Sequence, residues 1–179
     1  MSVEHDEGDL RFVFDDGWKV LKWDAHPAYL GGLQQREGTK AVDFVGLYVG
    51  EPWFLEVKDF RGHRIENKSR LTSGELVREV ACKVRDTLAS MIWACRRAPL
   101  DNDELAAFVR PLVTGGKKVP VVLWLEEDRP AAPPEASALG QAIKKELVWL
   151  NPHVIVASRV LAQTAPLAGL TVTSLFRGK

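Results

Sequence analysis

Apolar and polar positions follow two rhythms along this chain. Residues 41–49 and 53–57 are short apolar runs parted by Gly50, Glu51 and Pro52, the pattern of two buried strands joined by a turn. Residues 10–14 and 18–23 flank Asp15-Asp16-Gly17, and apolar residues on both sides of a D-G step predict an N-terminal β-hairpin. Residues 24–38, with Pro27 and Gly31-Gly32, leave room only for a helical turn or a loop. From residue 74 to residue 97 the rhythm turns helical: Leu76, Val77, Val80, Val84, Leu88, Met91, Ile92 and Cys95 recur on one side, behind a capping region at Thr72 and Ser73. The polar side carries Arg78, Lys83 and Arg85, which either face solvent or look across at the acids of the apolar runs.

Pro99 ends that helix, and Asp101 or Asn102 caps a second over residues 103–113, stopped by Gly115-Gly116. Residues 118–126 read as a third core strand, 126–137 as a proline- and acid-rich surface loop, 138–150 as a helix, and 153–158 and 170–175 as the last strands. This order predicts an α/β fold, a mixed central β-sheet flanked by helices, with the hairpin at its N-terminal side. Residues 1–9, with Glu4, Asp6, Glu7 and Asp9, read as an acidic flexible tail, leaving 10–179 as a single domain.

Composition narrows the partners. With 24 basic and 24 acidic residues the formal net charge is zero, so any footprint for nucleic acid has to be local. The two cysteines, Cys82 and Cys95, belong to no C-x-x-C or Cys/His cluster, which predicts free buried thiols in a reducing, cytoplasmic setting. No apolar run suits a signal peptide or a membrane span.

Candidate chemistry lies where acids interrupt the apolar runs. Asp43 sits between Val42 and Phe44, and Glu56 between Leu55 and Val57, with Lys58 two positions on. Carboxylates are rarely buried unless paired or bound to a metal. Side chains at i and i+2 of a strand share a face, so Glu56 and Lys58 point one way and Leu55 and Val57 the other. A hairpin then brings Asp43 beside Glu56, and two carboxylates with an ammonium nearby can hold a hard cation and steer a water.

Asp43, twelve further residues and then Glu56-Val57-Lys58 resembles the D-x(n)-E-x-K signature of the PD-(D/E)xK nuclease superfamily, whose fold is restriction-endonuclease-like. The resemblance covers roughly residues 39–125 in element order: acid-bearing strand, E-x-K strand, helix, apolar strand. It implies a metal-dependent nuclease hydrolysing phosphodiester bonds, in DNA more readily than in RNA, and working in many members as a homodimer. It also implies that Asp43, Glu56 and Lys58 are catalytic, that Asp43, Glu56 and the Val57 carbonyl bind Mg²⁺ or Mn²⁺, and that an upstream acid or Gln assists, for which Glu37 is the nearest acid and Gln34 and Gln35 are close. The family proline before the first acid is replaced by Val42. The polar segment after Lys58 and the helix behind it supply Arg61, Arg64, Lys68 and Lys83 as phosphate contacts. The alternative is a catalytically inactive module of the same fold that binds nucleic acid or a protein partner.

Other candidates carry less. Asp24 and His26 are either a ligand and base or a solvated pair at a strand end. His63 is a surface residue or a phosphate contact, and His153 reads as structural. The six tryptophans lie mostly in apolar runs and read as core. No P-loop, Rossmann or nucleophile-elbow motif occurs.

Overall fold

A computed structural model describes residues 2–63, 69–97 and 103–175. Its strands are β1 (Val3–Glu7), β2 (Leu10–Phe14), β3 (Trp18–Lys22), β4 (Phe44–Tyr48), β5 (Glu51–Asp59), β6 (Val119–Glu126), β7 (Pro152–Ala157) and β8 (Leu170–Ser174). Its helices are α1 (Pro27–Leu30), α2 (Glu75–Arg97), α3 (Asp103–Thr114) and α4 (Pro133–Glu146). Strands β3-β4-β5-β6-β7 form a mixed five-stranded sheet, antiparallel from β3 to β5 and parallel from β5 to β7, as the α/β expectation requires. A second, antiparallel sheet runs β1-β2-β8.

The alternation of side chains along β5 and β6 divides the core in two. Phe54, Val121, Leu123 and Leu125 point to one face, where they meet Leu76, Val80, Val84 and Met91 of α2 and Ile143 of α4. Leu55, Val57, Val122 and Trp124 point to the other, where they meet Leu10, Phe12 and Phe14 of β2. The expectation of a sheet flanked by helices therefore holds on one face only. The small sheet covers the other, its aromatics packed edge-on or tilted, as where Phe12 meets Trp124 with centroids 5.7 Å apart.

Two N-terminal expectations change. Residues 10–14 and 18–23 do not pair: β2 belongs to the small sheet and β3 joins β4. The Asp15-Asp16-Gly17 step turns the chain from one sheet to the other, with Asp15 N donating to Gly169 O at 2.8 Å and Gly17 N to Asp15 Oδ1 at 2.9 Å. The N-terminal hairpin is instead β1–β2, through Gly8 at φ 55°, so the segment read as a flexible tail is mostly a strand. Glu4 and Asp6 face outward to Arg11, while His5 and Glu7 point inward.

Further along, the β4–β5 connection is Val49-Gly50, at φ 49° and 81°, and Glu51 and Pro52 already belong to β5. Pro133 and Pro134 open α4 instead of extending a loop, because the first helical turn needs no amide donors, and Glu135 accepts from Ala132 N at 2.8 Å. Trp18, Trp23 and Trp124 are core residues, Trp149 is 53% exposed, and of the two free cysteines Cys82 is exposed where a buried thiol was expected. Pro99, Asp101 and Asn102, the expected helix boundary, lie outside the described residues.

Candidate functional site

The β4–β5 register pairs Phe44 with Leu55, and one further step sets Asp43 across from Glu56. Asp43 itself lies in a bend just before β4. Its Oδ2 accepts from Val57 N at 2.6 Å, closing the end of the ladder with a side chain. The N–H and C=O of one strand residue leave on the same side, so the Val57 carbonyl also faces the side on which Asp43 lies. Asp43 is 6% exposed and Glu56 1%. Burial first, and then the charge of Glu56, push the Asp43 carboxyl up to about 8 against the partial relief given by Lys83 and the Val57 N–H.

Glu56 Oε1 receives two ammonium groups, Lys83 Nζ at 2.6 Å and Lys58 Nζ at 2.9 Å. Glu56 Oε2 is buried and has no hydrogen-bond partner. Lys58 also donates to Glu79 Oε1 at 2.9 Å, and Glu79 is paired in turn with Arg70. Burial pulls the Lys58 pKa down, but Glu56 and Glu79 more than reverse this and hold it above its ordinary value.

A polar stripe on α2 organises this end of the sheet. Glu79, Lys83, Thr87 and Ser90 recur every three or four residues along the helix, Thr87 and Ser90 buried and Glu79 and Lys83 half-buried. Glu79 and Lys83 reach Lys58 and Glu56, while Thr87 Oγ1 accepts from Val42 N at 2.9 Å. Ser90 Oγ accepts from the indole of the fully buried Trp23 at 2.8 Å. Trp23 N in turn donates to Asp43 O at 2.9 Å. The helix thereby fixes the end of β3 and the start of β4, the segments that carry Asp24 and Asp43.

Asp24 enters the site, and so does Glu7, which the sequence did not single out. One carboxylate oxygen each from Glu7, Asp24 and Asp43 lies within 4.8 Å of the others. Lys22 is paired with Glu7 and lies 3.8 Å from Asp24 Oδ1. Asp24 is raised above the ordinary carboxylate range, mainly by burial.

The remaining expected residues lie elsewhere. Glu37 is exposed in the loop before Asp43 and takes no part in the acid group. His26 caps α1, accepting from Ala28 N, and stacks on Trp23. Arg61 turns to the small-sheet side, donating to Asp59 Oδ1 at 2.7 Å and Ser174 Oγ at 2.6 Å. Of the two orientations open to Lys83, also expected as a phosphate contact, the structure has it look across at the acids, donating to Glu56 Oε1. Arg64 and Lys68 lie outside the described residues. Among the described residues no helix is long and apolar enough to cross a membrane. No family model, curated protein or solved structure matches the chain.

Proposed function

We propose that the chain is a metal-dependent nuclease of the PD-(D/E)xK type, with a restriction-endonuclease-like fold, hydrolysing phosphodiester bonds in DNA. The observation that carries this reading is the meeting of Asp43 and Glu56 across two strands, with Lys58 beside Glu56 and the buried Glu56 Oε2 left without a partner. The order β4, β5, α2, α3, β6 supports it, with Asp43 just before β4, Glu56 and Lys58 within β5, and helices leading to the apolar strand β6.

The donor set fits Mg²⁺ or Mn²⁺: all-oxygen, anionic and only partly neutralised by lysines. Asp43, Glu56 and the Val57 carbonyl would hold the ion, which polarises a scissile phosphate and acidifies a water. Lys58, kept charged by Glu56 and Glu79, serves as a donor to the phosphate and to the attacking water, not as a base. Asp43 keeps its orientation through the Val57 N–H. Lys83 orients Glu56 through its hydrogen bond to Oε1.

The test is incubation of the purified protein with plasmid, single-stranded and branched DNA in Mg²⁺ or Mn²⁺, beside Lys58→Ala. Cleavage that falls by about 10²-fold or more in the variant is expected. Absence of cleavage under every condition, or cleavage unchanged by the substitution, overturns the reading. A second reading, an inactive binding module, is favoured by the way Lys58, Glu79, Lys83 and Glu56 neutralise one another. It predicts retention of DNA on a gel without cleavage and no effect of Lys58→Ala.

A further inference from the structure

The helices on one face of the large sheet leave a gap between them. Between the start of α2, α4 and the end of β6 lies a cleft of about 630 Å³. Val77 and Leu125, 9% and 4% exposed, form its floor, and Leu71, Leu139 and Ala142 its walls. The volume falls within the range of about 300–1,000 Å³ usual for clefts that hold small ligands. Leu125 of β6 is in register with Lys58 of β5, and both turn to the α2 side. Neighbouring strands lie about 5 Å apart, so the floor of the cleft adjoins Lys58. Arg129 and Glu135 supply polar groups at the rim.

A hollow of about 460 Å³ continues the cleft along the seam of α2 and α4, sharing Val77 and Ala142 with it. Arg78 of α2 and Lys145 of α4 border it, both exposed, with Glu146 beside them. Neither cation takes part in the ion pairs found among the described residues. An apolar cleft next to Lys58, followed by two cations, matches a chain of apolar base faces and anionic phosphates. An aliphatic ligand would use the walls and leave both cations without a role. A base in a duplex is stacked and paired, and drawing it out has a cost that an unpaired strand escapes.

We propose that the cleft seats one unpaired base of a single DNA strand, next to the phosphate at Lys58, while Arg78 and Lys145 hold the phosphates that follow. The proposal rests on the nuclease reading and deepens it, naming unpaired DNA as the substrate class.

Fluorescence anisotropy in EDTA measures binding without cleavage. Three labelled probes are compared: a short single strand, the same strand abasic throughout, and the matching blunt duplex. The unaltered chain is expected to bind the normal strand about tenfold more tightly than either of the others. Ala138→Phe and Ala142→Phe fill the cleft from α4, with folding checked by circular dichroism and thermal unfolding. Each should bring the normal strand down to the affinity of the abasic one. Arg78→Ala with Lys145→Ala should weaken both strands alike and lower the salt dependence. No preference for the normal over the abasic strand, or a preference that survives both filled variants, overturns the proposal. Oleate that binds the unaltered chain but not the filled variants, without competing with the strand, assigns the cleft to an aliphatic ligand and also overturns it. Cleavage that needs Lys58 and runs equally fast on duplex and in the filled variants leaves the nuclease reading standing and the base cleft fallen. If filling abolishes the base preference while no DNA is cut, the cleft stands and the nuclease reading falls.

Discussion

Lys83 Nζ donates to Glu56 Oε1 across 2.6 Å, joining the middle of α2 to a strand carboxylate that is 1% exposed. Removing one partner of such a pair leaves the other charge buried and under-neutralised. Lys83→Met is expected to lower unfolding stability by about 3 kcal/mol in urea titrations. Glu56→Gln with Lys83→Met should lose less than the sum of the single changes, by about 1–3 kcal/mol of coupling. Simple additivity would show that the two groups do not depend on each other.

Asp43 gives the pH dependence its sign. Its folded carboxyl titrates at about 8, far above an exposed aspartate, so the folded chain binds a proton that the unfolded chain releases. Without divalent cation, stability therefore falls as pH rises from about 4 to about 8 and levels off above that. Asp43→Asn keeps an oxygen for the Val57 N–H and removes the charge. At pH 8.5 it is expected to unfold at higher urea than the unaltered chain, with the difference shrinking toward pH 4.

Glu79 works in the opposite direction. Burial pushes its carboxyl up, but Lys58 and Arg70 outweigh burial and hold it below its usual range. Its contribution is present above the unfolded pKa and lost as pH falls through the depressed one. Glu79→Gln should cost about 1–2 kcal/mol at neutral pH. Urea titrations at pH 7 and pH 3.5 should show a smaller cost at the lower value, and an equal cost at both would exclude a role for its charge.

Gly46 separates stability from chemistry. A Cβ placed there would meet the Trp18 ring at 2.5 Å, inside a strand packed on both sides. Gly46→Ala is expected to destabilise by about 1–3 kcal/mol through overpacking. Since Gly46 points no group at the acids, Mn²⁺ affinity measured well below the melting temperature should stay unchanged.

Local pattern carried the middle of the molecule and missed its N-terminal part. The β4–β5 hairpin, the alternation that parts Glu56 and Lys58 from Leu55 and Val57, and the long helix were all readable from period and turn chemistry. Glu7 was not, because the alternation of Val3, His5 and Glu7 is masked by the acids between and beside them. Its partners lie outside its own neighbourhood, and only the packing of two sheets brings it to Asp24 and Asp43. The D-G step between β2 and β3 misled for a related reason: turn chemistry states that the chain bends, not which strand each arm will pair with. Lys83 was legible in part. Its spacing from Glu79 and Thr87 marks a polar line on a helix face, while its partner follows only from the tertiary arrangement.

That polar line makes α2 sensitive to phase. One residue advances an α-helix by about 100°. A single insertion between Lys83 and Thr87 would keep Glu79 and Lys83 on their partners and swing Thr87 and Ser90 away from Val42 and Trp23. The strand that carries Glu56 would keep its clamp, and the segments that carry Asp24 and Asp43 would lose theirs. Substitutions on the outer face of α2 leave this setting untouched, so the helix tolerates changes of letter far better than changes of length.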